Sequence, residues 1–153
     1  RRRQDRHFKE WMPHLTLLYP FRPVEEFDDA AVVLQNACAS IRPFDVTFTT
    51  VGYFAHNPRS HTLWLDPEPS APVIALQSAL QSAFPECDDA SRYEGGYKPH
   101  LSVGQVGPED LLRWVLRDLQ ASWRPLTWRV SHLSLIARDA EAVFQEDRQI
   151  PLA

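Results

Sequence analysis

The sequence predicts an α+β fold: two pseudo-symmetric lobes with antiparallel sheets flanked by helices, and an active groove between them. Three observations lead there. Apolar residues at strand and helix spacing follow one another as strand, helix, strand, strand, helix, strand, helix, strand, strand. Runs of strands joined as hairpins between helices exclude a purely parallel sheet. One short pattern occurs twice, Pro13-His14-Leu15-Thr16-Leu17 and Pro99-His100-Leu101-Ser102-Val103, as if each lobe supplied one copy. Thirteen Pro against five Gly set sharp element boundaries with few flexible linkers.

The elements follow in order. Residues 1–11 are a basic lead-in whose Phe8 and Trp11 cover a core edge; Arg3, Arg6 or Lys9 approaching a phosphate is the functional alternative. The first strand spans 13–19, and Pro20 and Pro23 break it. Asp28 or Asp29 caps a helix whose apolar face is Phe27, Ala31, Leu34, Cys38 and Ile41, ended by Pro43. Phe44, Val46 and Phe48 alternate with polar residues, so a half-buried strand runs on to Phe54. A loop of five or six residues around His56–Ser60 returns the chain as a strand over 61–67. Pro72 opens a second helix with Val73, Leu76, Leu80 and Phe84 on one face. The polar stretch 86–97 holds the Gly-Gly pair; it reads either as a flap with Arg92, Tyr93 and Tyr97 as contacts or as an ordinary surface loop. The second motif strand covers 98–105, and a helix with Leu112, Val115, Leu116 and Leu119 follows Gly107-Pro108. Leu126, Trp128 and Val130 begin a long strand in which the apolar phase shifts near His132, the sign of a bulge or a change of burial. An edge strand from 142 to 152 closes the chain.

Composition bounds the function. A chain of 153 residues with 44% apolar and 24% charged content is a single globular domain, 1–153. The start Arg1-Arg2-Arg3 reads as a domain excised from a longer protein, either a monomer or one unit of a larger chain. A net charge of −4 argues against a broad basic face for nucleic acid but leaves room for a pocket that takes one nucleotide end. No apolar run reaches membrane-spanning length. Cys38 and Cys87 make no disulfide framework, which places the chain in a reducing, intracellular compartment, cytoplasm or nucleus.

The chemistry sits in the repeated pattern. In a strand, residues i and i+2 share a face, so each copy sets an imidazole beside a hydroxyl. The Pro marks a strand mouth, where a ligand can arrive. Ser131-His132-Leu133-Ser134 carries a third His-x-Ser without the Pro and reads as a half-exposed His on a late strand. Imidazole titrates near neutrality, so one His can take a proton while the other gives one. Thr16 and Ser102 would donate to the charged oxygens of a phosphate transition state. His14 and His100 lack an acidic or Cys cluster at zinc spacing, so neither a metal nor a cofactor is expected.

The two motifs, with the continuation Leu17-Leu18-Tyr19-Pro20-Phe21 after the first, resemble the two-histidine (2H) phosphoesterase superfamily, which includes 2′-5′ RNA ligase-like and cyclic phosphodiesterase proteins. Gln105 is a departure, because many relatives carry a basic residue there. The resemblance implies His14, Thr16, His100 and Ser102 as catalytic residues. Candidate substrate contacts are Tyr19 and Phe21 after the first motif, Arg59 at the hairpin turn, Tyr97 and Lys98 before the second motif, and Gln105 after it. The implied activity is metal-independent phosphodiester chemistry on RNA 3′ ends or small oligonucleotides, foremost hydrolysis of a 2′,3′-cyclic phosphate. Cleavage of 2′-5′ linkages, trimming of RNA 3′ ends and 2′-5′ ligation would use the same residues. A catalytically weak module that binds a nucleotide or an RNA end is the alternative from another class.

Overall fold

A computed structural model of the chain describes residues 5, 9–138 and 143–153. The fold is α+β, and all its paired strands are antiparallel. The elements are α1 (Phe27–Cys38), β1 (Phe44–Asn57), β2 (Ser60–Glu68), α2 (Ala71–Ala83), β3 (Leu101–Val106), α3 (Glu109–Ser122), β4 (Leu126–Val130), β5 (His132–Ala137) and β6 (Gln145–Pro151). One sheet is ordered β3-β2-β1-β4, and β5 pairs with β6 in a second.

Two cores hold these layers. In the first, Val46, Phe48, Leu65 and Leu101 of the four-stranded sheet bury against Val73 of α2. Val103 packs against this core and also against a neighbouring cluster in which Leu63 and Val106 meet Leu112 and Val115 of α3. In the second, Phe27, Ala30, Ala31, Leu34 and Cys38 of α1 meet Leu76 and Leu80 of α2 and Leu133, Leu135 and Ile150 of the β5–β6 pair. The helical spacing of the apolar residues and the alternation along the strands dictate those faces. Both cysteines are buried and free, and among the described residues no helix is long and apolar enough to cross a membrane.

Several expectations change. The segment 13–19 is not a continuous strand: it makes single bridges at Leu15 with Leu101 and at Tyr19 with Asp88. Pro13 and Pro20 bring no N–H to a ladder, and the segment crosses between the two cores, with Leu15 in one and Leu18 in the other. Glu26 occupies the N-cap of α1, so Asp28 and Asp29 lie in its first turn, where carboxylates meet the positive end of the helix. Asp28 also pairs with Arg148 at 2.7 Å. The helix ends at Cys38, before Ile41 and Pro43. The β1–β2 turn is tight, because Asn57 pairs with Ser60 and leaves only Pro58-Arg59 between them. Near His132 the chain does more than bulge: it leaves β1's sheet at Val130 and joins β6 from His132. Residue 142 and the lead-in residues Arg3, Arg6 and Phe8 lie outside the described residues, and Lys9 is exposed.

Candidate active site

The bridge between Leu15 and Leu101 sets the register of the two motifs. In an antiparallel pair, residues one step away on each side also stand opposite each other, so His14 faces Ser102 and Thr16 faces His100. The imidazoles occupy diagonal corners of this square, at a residue separation of about 7–8 Å and somewhat less between Cβ atoms. Leu101 is buried and Leu15 packs beside it, which turns the alternate residues to the other face. His14, Thr16, His100 and Ser102 all line one cleft of about 1640 Å³.

Both rings are held in the same way. His14 Nδ1 lies 2.7 Å from the Met12 carbonyl, and His100 Nδ1 lies 2.8 Å from the Lys98 carbonyl. A carbonyl only accepts, so each Nδ1 carries the hydrogen and Nε2 is the nitrogen that titrates. In each motif the donor reaches back across a proline, whose ring fixes φ and keeps its predecessor extended. Burial pushes the His100 pKa below its usual value, opposed by the hydrogen bond to Lys98 and reinforced by the nearby charges of His14 and Lys98.

Aromatic rings complete the walls. Phe54 of β1 meets His100 edge to face, at 4.9 Å between centroids and 86°. Trp64 of β2 supports Phe54 at 5.2 Å. The Trp64 indole lies over Gly52, where a Cβ would come within 2.4 Å of the ring, so only glycine fits that point of the strand. On the opposite side, Trp11 stacks at 5.0 Å on His14 and at 3.8 Å on Phe144. Lys98 Nζ sits 4.3 Å from the Trp64 ring, a cation–π contact at the cleft wall.

The remaining sequence candidates divide. Tyr19, Phe21, Tyr97 and Lys98 line the cleft. Phe21 also packs on Phe84 at 5.2 Å. Tyr97 donates its hydroxyl to the Thr16 carbonyl at 2.9 Å, which ties the end of the 86–97 loop to the first motif, and burial raises its pKa. That loop is also fastened at Asp89, whose N–H donates to the Tyr19 carbonyl at 2.8 Å, and Gly95 and Gly96 take the positive φ its tip requires. Tyr93 lines the cleft from this loop, and Arg92 pairs with Asp89. Arg59 and Gln105 are not among the residues that line the cleft. Arg59 occupies the β1–β2 turn, its N–H donating to Asn57 Oδ1 at 2.8 Å, and Gln105 stands opposite Thr62 toward the far end of β3.

Sequence reasoning gave Trp11 only as cover for a core edge, did not single out Phe54 or Trp64, and placed His56 in the loop between the strands. His56 and Thr62 line the same cleft, with His56 Nε2 2.9 Å from Thr62 Oγ1. The available signal was Gly52 two residues before Phe54 on β1, since a glycine inside a strand marks a close approach. For His56 there was no local signal, because the register is irregular between Ala55 and Asn57. His132 and Ser134 also border the cleft, and Ser134 donates to Glu146. Among the described residues, no cluster of three or more His, Cys, Asp or Glu side chains is arranged to hold a metal ion.

A family model described as the 2′-5′ RNA ligase superfamily matches residues 1–142. A protein of Geobacillus kaustophilus strain HTA426 that bears a provisional phosphoesterase name is 30% identical over 109 residues, 71% of this chain and 60% of its own length. A Bacillus cereus protein with the same kind of name is 29% identical over 106 residues, 69% of this chain and 58% of its own. The chain therefore spans about three fifths of the length of these relatives. Among solved structures, Escherichia coli LigT complexed with 3′-AMP superposes with a TM-score of 0.63 at 17% identity, over 92% of this chain and 76% of that one. A protein of Thermus thermophilus superposes with a TM-score of 0.59 at 21% identity, over 96% and 85%. At these identities the structural likeness shows the shared fold.

Proposed function

Because this chain belongs to the 2′-5′ RNA ligase superfamily, matched across residues 1–142, we propose that it is a metal-independent phosphodiesterase that hydrolyses a 2′,3′-cyclic phosphate at an RNA 3′ end or on a small oligonucleotide. The observation that carries this reading is the placement of His14 and His100 across the Leu15–Leu101 bridge in one cleft, each with Nδ1 turned to a carbonyl. The LigT neighbour is complexed with 3′-AMP, a nucleotide that carries a 3′-phosphate, which is the class of ligand this reading calls for.

In this mechanism His100, whose pKa is lowered by burial, is neutral near pH 7 and acts as the base. Its Nε2 takes a proton from water as the oxygen attacks phosphorus. His14, protonated, gives its Nε2 proton to the ribose oxygen that leaves, and the ring opens to a phosphomonoester. Thr16 and Ser102 donate to the non-bridging oxygens, whose charge grows in the transition state. Lys98 adds positive potential from the wall, and Tyr19, Phe21 and Tyr97 contact the nucleoside.

The test is hydrolysis of a 2′,3′-cyclic mononucleotide in the presence of chelator. The wild type is expected to turn over unchanged by chelation. His14→Ala and His100→Ala should each lose about 100- to 10,000-fold in kcat/KM. Full activity in either folded variant defeats the assignment. The placement of Arg59 and Gln105 outside the cleft favours one other reading, a module that binds RNA ends without turnover. That reading predicts wild-type affinity for a 3′-phosphate and no product.

A further inference from the structure

We infer that His56 and Thr62 form a second subsite, which holds the phosphate of the penultimate nucleotide of an RNA substrate. The inference rests on the functional reading above and extends it from one nucleotide to two.

The floor of the cleft is one face of the sheet. On β1, Gly52 and Phe54 share that face, and on β2 Thr62 and Trp64 do the same. His56, at the register irregularity between Ala55 and Asn57, comes to it through its contact with Thr62. Phe54 stands opposite Thr62 in the ladder. The floor therefore runs without a break from His100, across the Phe54 ring that touches it, to His56 and Thr62. From Phe54 to His56 is about 6–7 Å along the strand. The cleft, at about 1640 Å³, exceeds the roughly 300–1,000 Å³ that encloses a single small ligand. A nucleotide with its cyclic phosphate between His14 and His100 leaves this stretch of floor for the next residue of the chain.

The chemistry of the pair fits a phosphate oxygen. His56 Nε2 and Thr62 Oγ1 are 2.9 Å apart. With the hydrogen on Nε2, the imidazole donates to the hydroxyl oxygen and turns the hydroxyl's own hydrogen outward, toward an anionic acceptor. His56 is exposed and so within reach of a ligand. Neither side chain belongs to the acid–base pair, so the subsite acts on affinity for longer substrates and not on the chemical step.

The experiment compares binding of a mononucleotide 3′-phosphate and a dinucleotide 3′-phosphate by titration calorimetry, with hydrolysis of the corresponding 2′,3′-cyclic species measured alongside. The wild type is expected to bind the dinucleotide about tenfold more tightly, the worth of one charge-assisted hydrogen bond. Thr62→Val and His56→Ala should bring the dinucleotide down to the mononucleotide's affinity and leave the mononucleotide unchanged. Thr62→Ser, which restores the hydroxyl, should recover the advantage. A wild type that binds both ligands equally, or variants that keep the advantage, overturn the subsite. Binding in the expected pattern without hydrolysis of either cyclic species supports the subsite and sinks the enzyme reading. Hydrolysis without a dinucleotide advantage does the reverse.

Discussion

His14 and His100 share one anchor and differ in their surroundings. Each Nδ1 is bonded to a carbonyl two residues earlier, but His100 is desolvated beside Phe54. Desolvation disfavours the imidazolium, so the His100 pKa lies below the ordinary value of about 6.5. If His100 is the base, the acid limb of the kcat/KM profile reports that pKa, and activity should rise to its plateau from below pH 6.5. A limb centred well above pH 7 would reverse the roles of the two histidines. The same shift bears on stability. In the unfolded chain this His takes up its proton near pH 6.5, whereas in the folded protein it does so only at lower pH. Stability is thus unaffected above about pH 6.5 and falls as pH drops from there through the folded pKa. Thermal melts from pH 7 to pH 5 should show a smaller loss in His100→Asn than in wild type; equal losses would place the pH sensitivity elsewhere.

At the scale of elements, the site depends on how β1, β2 and β3 stack their side chains on one face. Gly52 admits the Trp64 indole, Trp64 backs Phe54, and Phe54 abuts His100. A methyl at position 52 would meet the ring at 2.4 Å, far inside van der Waals contact. Gly52→Ala is therefore expected to destabilise the protein by about 1–3 kcal/mol and to lower kcat/KM by displacing Phe54 from His100. Urea unfolding and steady-state kinetics check both effects, and an unchanged midpoint would mean that Trp64 relaxes at no cost. The switch of sheets at Ser131 is the other element-scale device. The sequence marks it by a slip in apolar phase, because residues that alternate against one core must restart their alternation against another.

At the scale of the whole molecule, the first motif's segment joins the two cores: Leu15 packs in one, Leu18 in the other and Leu17 in both. A chain stitched in this way should unfold in one step. Ile150→Ala, deep in the core of α1, α2 and β5–β6, should cost about 2–5 kcal/mol. It should shift a single cooperative transition followed by both far-ultraviolet circular dichroism and tryptophan fluorescence; two separated transitions would show that the halves fold independently. The sequence by itself determined the antiparallel α+β class, the apolar faces of α1 and α2, the half-buried β1 and the two His-hydroxyl motifs, because periodicity and proline placement act over a few residues and can be read locally. It left the crossed pairing of the motifs, the tight Pro58-Arg59 turn that leaves Arg59 outside the cleft, the aromatic wall and the His56–Thr62 pair to the tertiary structure. Those features depend on strand register and on which side chains meet across the sheet, and contacts between residues far apart in the chain leave no local pattern from which to read them.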